Sequence, residues 1–175
     1  MTGLDALILR HQVEQFYYAE ARAIDGRDFQ AWLALFTDDT RYLVPIRRNQ
    51  TAHEFTDSLG DQGLAHFDDD KTILARRVAR MSSGLAWTED PPSVQRHLIT
   101  NVEVTECDPG NPAGELDVRS CFQAHRYRLD REVEVFTGAR LDRLRRSPDT
   151  GFAIAARTVY LDHTTVLGNN LNLFL

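Results

Sequence analysis

The sequence predicts an α+β fold in which N-terminal helices pack into a curled, mostly antiparallel sheet. Two observations carry this reading. Apolar residues recur at helical spacing through the first third of the chain, whereas from Leu98 onward they alternate with polar residues over long runs. No βαβ alternation and no internal repeat joins the two halves, and helices followed by a run of strands define the α+β class. At 175 residues the chain is expected to be one domain, 1–175. A chain of this length buries roughly 70% of its unfolded surface and needs neither disulfide nor metal to hold a core.

The elements follow in order. Leu9, Val13, Phe16 and Tyr17 give one apolar stripe, predicting a helix over 4–23 that Gly26 ends. Asp28 is a good N-cap for a second helix, in which Phe29, Trp32, Leu33 and Phe36 share a face. Thr40–Ile46 reads as a short strand, with Pro45 near its end suiting a sheet edge. Asn49–Asp70 holds six acids, no Lys or Arg and no clear period, so most of it is expected to be a long surface loop. Asp70 then caps a third helix that buries Leu74, Val78 and Met81 and stops at Ser82, Ser83 and Gly84. Four strands follow. Alternation runs through Leu98–Thr105 and Leu116–Ala124, with a turn at Asp108–Asn111. In the next strand Val133, Val135, Thr137, Ala139 and Leu141 form one face, with Glu132, Glu134, Arg140 and Asp142 opposite. After a turn at Ser147–Gly151 comes Phe152–Leu161. Long strands polar on one side suit an antiparallel meander.

Composition excludes several functions. Net charge is −6, so nucleic acid is not an expected partner. Lys71 is the one lysine; the other basic residues are arginines, which suit buried or interfacial ion pairs better than lysine. The longest apolar run, Ala31–Phe36, is too short to span a bilayer. The opening MTGLDALILRHQ has no basic n-region, so a cytoplasmic location is expected. Cys107 and Cys121 are expected to be free thiols.

The usual catalytic and metal motifs are missing: no GxGxxG, P-loop, GxSxG or HExxH, and no two histidines at i, i+3 or i, i+4. No metal or cofactor site is expected in the chain. Asp68-Asp69-Asp70 lacks the spacing of a calcium loop and reads as helix capping in a solvated loop. Asp25, after the first helix, and His97, on a strand, are pocket candidates. Inside a curled sheet they would act as orienter and general base of a free-standing isomerase-like or dehydratase-like enzyme. A small-molecule binding module is a second alternative. Arg126–Arg146 interleaves arginines with acids, which fits cross-strand pairs or a protein interface rather than a phosphate-binding face.

At these residues the chain resembles the small (beta) subunit of bacterial aromatic-ring-hydroxylating dioxygenases. The segments that carry the resemblance are AHFDDD (Ala65–Asp70), SGLAWTEDPPS (Ser83–Ser93), RHLITNV (Arg96–Val102), RYRLDREVEVFTGARLDRLRR (Arg126–Arg146) and RTVYLDHTTVLGNNLNLFL (Arg157–Leu175). The AHFDDD segment looks closer to the biphenyl/toluene branch than to the benzoate branch. The resemblance implies a cystatin-like, nuclear transport factor 2-like cone. It implies a partner alpha subunit carrying a Rieske [2Fe–2S] cluster and a mononuclear Fe(II), an α3β3 assembly with the beta chains as a trimer, and electrons from NADH through a reductase and ferredoxin. The product it implies is an arene cis-dihydrodiol, with no catalytic residue on this chain.

Interface candidates follow from this. At least two of Arg126, Arg128, Arg131 and Arg157 are expected to pair across subunit boundaries. The ending GNNLNLFL keeps strand alternation to Leu175, with Leu171, Leu173 and Leu175 against Asn170, Asn172 and Phe174. Large apolar residues here predict an ordered arm, docked on its own sheet or, as favoured for Asn170, Leu171, Leu173 and Phe174, at a subunit boundary.

Overall fold

The structure is a computed structural model that describes residues 3–46, 64–82, 92–106, 114–129, 132–163 and 174–175. Residues 47–63, which hold most of the expected Asn49–Asp70 loop, residues 107–113 with Cys107 and the expected Asp108–Asn111 turn, Arg131, and tail residues Asn170, Leu171 and Leu173 lie outside the described residues, as do Ser83 and Gly84. Helices α1 (Gly3–Asp25) and α2 (Phe29–Ala34) lead into strands β1 (Phe36–Pro45) and β2 (Ala65–Asp70). Helix α3 (Lys71–Ser82) follows, then β3 (Val94–Glu106), β4 (Leu116–Arg128), β5 (Glu132–Ser147) and β6 (Gly151–Leu161). The six strands form one sheet in the order β2-β1-β6-β5-β4-β3. Among the described residues the β1–β6 pairing is parallel and the other pairings are antiparallel. This is the α+β, cystatin-like cone that the sequence predicted.

Helix α1 forms because Leu9, Val13, Phe16, Tyr17, Ala21 and Ile24 line one buried side. Its end differs in detail from expectation. Arg27 N–H donates to Ile24 O at 2.9 Å and Asp28 N–H to Ala23 O at 2.8 Å. This double closure puts the left-handed residue at Arg27 (φ 60°), one position beyond Gly26. Asp28 caps α2 as predicted, accepting from Ala31 N–H at 3.0 Å. The helix stops at Ala34, however, and Phe36 opens β1, so the predicted strand begins four residues early. Nor is β1 an edge: it lies between β2 and β6, and Pro45 is accommodated at its last residue, where the register to β2 shifts.

The segment assigned to a loop contains a strand. Residues 65–70 pair with β1, Phe67 opposite Val44 and Asp69 opposite Tyr42. The three aspartates have three different partners: Asp68 binds Arg41 at 2.7 and 2.8 Å, Asp69 binds Arg77 at 2.7 Å, and Asp70 caps α3 through Ile73 N–H at 2.8 Å. The capping expectation holds for Asp70; the solvated loop does not, because Asp69 is buried.

The sheet curls where local geometry forces it. Asn101 takes φ 52° where the β3–β4 register slips between Thr100 and Glu103. On β5, a Cβ at Gly138 would stand 2.1 Å from Tyr160 O, so only glycine lets β6 approach there. The concave side holds the core, including Trp32, Tyr42, Leu74, Phe122 and Leu144.

Candidate functional site: a filled interior and a bare outer face

On β5, the even-numbered residues face inward. Phe136, Arg140, Asp142 and Leu144 are buried, whereas Val133 and Leu141 are exposed. The face that reads as polar therefore points into the core, opposite to the usual arrangement of a half-solvated sheet.

Buried charge is tolerated here because it is matched. Arg157 on β6 has 0% exposure. Its Nε and Nη2 donate to the two oxygens of Asp142, both at 2.8 Å. Its Nη2 also donates to Glu20 Oε2 at 3.0 Å, and Nη1 donates to Glu20 Oε1. Arg140 Nη1 reaches Glu20 Oε2 at 3.3 Å. Tyr17 O–H donates to Asp142 at 2.8 Å and Trp32 Nε1–H to Glu20 at 3.2 Å. Two guanidiniums thus face two carboxylates, tying α1, α2, β5 and β6 together. Burial alone would raise the Glu20 carboxyl, but Arg157 and Arg140 outweigh it and bring its pKa down to about 2. Burial would likewise lower the Arg157 pKa, yet Asp142 and Glu20 hold it well above its ordinary value. Burial, reinforced by Asp142, pushes the Tyr17 hydroxyl well up. The carboxylates accept from donors of the chain itself, so the cluster binds the fold together.

Phe174 and Leu175 plug the same interior. The Phe174 ring lies 4.2 Å from Trp32 and 5.4 Å from Phe29. Tyr42 O–H donates to Leu175 O at 2.7 Å. Asp25 and His97, paired in the sequence reading, do come together: His97 Nδ1 is 2.7 Å from Asp25 Oδ1.

These positions correct several interface expectations. Arg157 cannot pair across a boundary, because it is wholly buried among groups of its own chain. Phe174 docks within its own chain for the same reason. Arg126 is buried and binds Glu134 at 2.7 Å across the β4–β5 ladder. Arg128 is half-buried near the end of β4. The mixed-sign stretch over 126–146 resolves largely into in-chain pairs, including Arg143–Asp117 at 3.3 Å and Arg145–Asp39 at 3.0 Å. Sequence reading missed Glu20, Tyr42 and the inward role of Arg140 and Asp142. The signal was present: Glu20 sits four residues after Phe16 on the apolar stripe, and Arg140 and Asp142 share parity with Phe136 and Leu144.

The outer face is the counterpart. Val94, Tyr127 and Val133 stand side by side on β3, β4 and β5, with exposures of 64, 43 and 60%. Leu98, Val135 and Leu141 extend this exposed apolar surface along the same side. Among the described residues no group of three or more His, Cys, Asp or Glu is placed to hold a metal ion. Among the described residues, no helix is long and apolar enough to cross a membrane.

Fold and interior together define a nuclear transport factor 2-like cone with the Glu20–Arg157–Asp142 cluster and the Phe174 ring packed inside it. Comparison with known proteins gives the family. The model for the ring hydroxylating beta subunit matches residues 19–168. The beta subunit of benzene 1,2-dioxygenase from Pseudomonas putida is 39% identical over 168 residues, covering 95% of this chain and 88% of that protein. The beta subunit of biphenyl 2,3-dioxygenase from Rhodococcus jostii is 40% identical over 171 residues, again covering 95% and 88%. Among solved structures, naphthalene 1,2-dioxygenase with indole bound superposes with a TM-score of 0.84 at 24% identity, over 96% of this chain and 86% of that one. The chain belongs to the ring-hydroxylating dioxygenase beta-subunit family.

Proposed function

We propose that this chain is the non-catalytic assembly subunit of a dioxygenase that converts a one- or two-ring arene to a cis-dihydrodiol. It works as a single domain in the cytosol, in an α3β3 hexamer whose beta chains associate as a trimer. The alpha subunit supplies the Rieske [2Fe–2S] cluster and mononuclear Fe(II), and NADH supplies electrons through a reductase and ferredoxin. The beta chain's own residues provide shape: the Glu20–Arg157–Asp142 cluster makes the cone rigid, and the convex sheet is the docking surface. The observation that carries this reading is the apolar row Val94–Tyr127–Val133 left bare while charged residues occupy the core. Burying such side chains stabilises an assembly by about 1.5–3 kcal/mol each, and specific interfaces bury about 800 Å² per partner. Arg128, Arg131, Asn170, Leu171 and Leu173 are retained as contacts in this assembly.

The test is co-expression with a large subunit bearing CxH…CxxH, followed by light scattering and turnover of benzene or biphenyl with NADH and the electron-transfer proteins. The expected result is a hetero-oligomer that makes cis-dihydrodiol only when this chain is present, the isolated chain binding no iron. A large subunit that assembles and turns over fully alone, or stoichiometric iron on the isolated chain, would overturn it.

A further inference from the structure

Where α1 passes over the end of the β5–β6 ladder, the surface carries a groove that the assembly role does not use. Its volume is about 510 Å³, the size of a small-molecule site. The floor is apolar. Phe16, Leu35 and Phe152 form it, each of them buried, and the Phe16 and Phe152 rings meet edge to face with centroids 5.9 Å apart. One wall is a stripe of α1, with Gln12, Gln15 and Ala19 at helical spacing and exposed. Ile8, one turn before Gln12, continues that stripe with 49% exposure. The facing wall is the β5–β6 turn at Thr150 and Gly151. The Thr150 hydroxyl is already committed, donating to Phe152 O at 2.6 Å.

The charge at this groove is Arg146, which stands opposite Phe152 on the last rungs of the ladder. It differs from the other arginines of β5. Arg140, Arg143 and Arg145 each reach a carboxylate of the chain: Glu20 at 3.3 Å, Asp117 at 3.3 Å and Asp39 at 3.0 Å. Among the described residues Arg146 pairs with no carboxylate; its guanidinium instead lies 4.6 Å from the centroid of the Phe152 ring. A guanidinium stacked on a ring keeps its in-plane N–H donors for another acceptor. The Gln12 and Gln15 amides likewise have no hydrogen-bond partner among the described residues, and each can donate two N–H bonds.

We infer that this groove binds a small carboxylate with an apolar body, an aryl or alkyl acid. Its ring or chain lies on Phe16, Leu35 and Phe152, and its carboxylate accepts from Arg146. The chemistry selects this class. A sugar or nucleotide would set its hydroxyls against an apolar floor, leaving them unpaired. One guanidinium matches the single charge and planar fork of a carboxylate in a bidentate pair. The nearest cation before the α1 wall, Arg10, is held by Glu14 at 3.5 Å, so Arg146 carries the recognition. The inference does not rest on the assembly role, because the groove lies on the helix-covered side of the sheet and the Val94–Tyr127–Val133 row on the other.

The experiment titrates the full chain with 3-phenylpropanoate and, as the uncharged control of the same shape, 3-phenylpropanamide. Calorimetry gives the affinities and nitrogen-15 amide spectra place the ligand. The acid is expected to bind about fivefold more tightly than the amide, the contribution of a rim-exposed ion pair, and to shift the main-chain signals of Gln15, Ala19 and Gly151. Arg146→Gln should erase that preference and leave the affinity for the amide unchanged. Ala19→Trp, at an exposed helix position, should fill the groove and abolish binding of both, with an unaltered melting temperature showing the fold intact. Equal affinities for acid and amide, a preference that survives Arg146→Gln, binding undiminished in Ala19→Trp, or no saturable binding would overturn the inference. So would groove signals that respond to the large subunit and to neither small molecule, which would make this face a protein contact.

Discussion

The two faces of β5 invert the ordinary rule of a half-solvated sheet. Inward-facing Arg140 and Asp142 are almost fully buried, while outward-facing Val133 and Leu141 are 60% and 46% exposed. Residue type alone did not decide which side was covered. Arginine and aspartate go inside because Glu20 and Arg157 complete a neutral set there, and a matched set escapes most of the cost of isolated buried charge. Valine and leucine stay outside where another surface would cover them. Inside, Glu20, Arg157 and Asp142 partner one another; outside, Val133 and Leu141 are left exposed.

The largest expected effect comes from breaking the interior set. Arg157→Ala leaves Glu20 and Asp142 buried without their main counter-charge, which costs about 3–5 kcal/mol. The exposed Arg41–Asp68 pair is the control: its contacts are as short, 2.7 and 2.8 Å, but its side chains are 56% and 50% exposed. Arg41→Ala should cost about 0–1 kcal/mol. Urea unfolding of the isolated subunit checks both. Equal losses at the two sites would mean that burial is not what gives the interior set its weight.

Acid is a subtler probe of the same set. The Glu20 pKa falls from 4.5 to about 2 on folding. A depressed carboxyl contributes stability that is fully present above pH 4.5 and is lost as pH falls toward 2. At about 1.36 kcal/mol per pH unit this is on the order of 3 kcal/mol. The stability gap between the unaltered chain and Glu20→Gln should therefore narrow progressively between pH 4.5 and 2. A gap that stays constant across that window would show that Glu20 does not titrate with unfolding.

Much of this fold was legible in the sequence because it is locally encoded. The α1 stripe, the caps at Asp28 and Asp70 and the long alternations of β3–β6 each depend on residues a few positions apart. What escaped depends on register between distant strands. Strand β2 is short, and its partner β1 lies across the residues 47–63, so AHFDDD showed no period of its own. Alternation fixes which β5 residues share a side but not which side is inside, because a sheet can curl either way around its helices. Arg157 and Glu20 meet across 137 positions, and Asp25 and His97 across 72. Those two were named as a pair only because each was expected to face the interior of a curled sheet. The family came from extended segments of resemblance, not from any single site.

The smallest effect on the subunit itself is expected on the outer face, where the effect on assembly should be decisive. Val133 is exposed beside Tyr127, which pairs in turn with Val94. Val133→Asp removes no in-chain packing of consequence, so the stability of the isolated subunit should change by no more than about 0.5 kcal/mol. In an assembly that covers this row, the new carboxylate is buried without a partner, at a cost of several kcal/mol. One substitution thus separates two quantities that Arg157→Ala would confound. The subunit should melt normally, yet light scattering should show that it no longer joins its own copies or the large subunit. Leu98→Asp, further along β3 on the same side as Val94, should behave alike, because an interface is a patch rather than a point. If both variants assemble as the unaltered chain does, the convex face of β3–β5 is not the docking surface, and its exposed valines and leucines require another explanation.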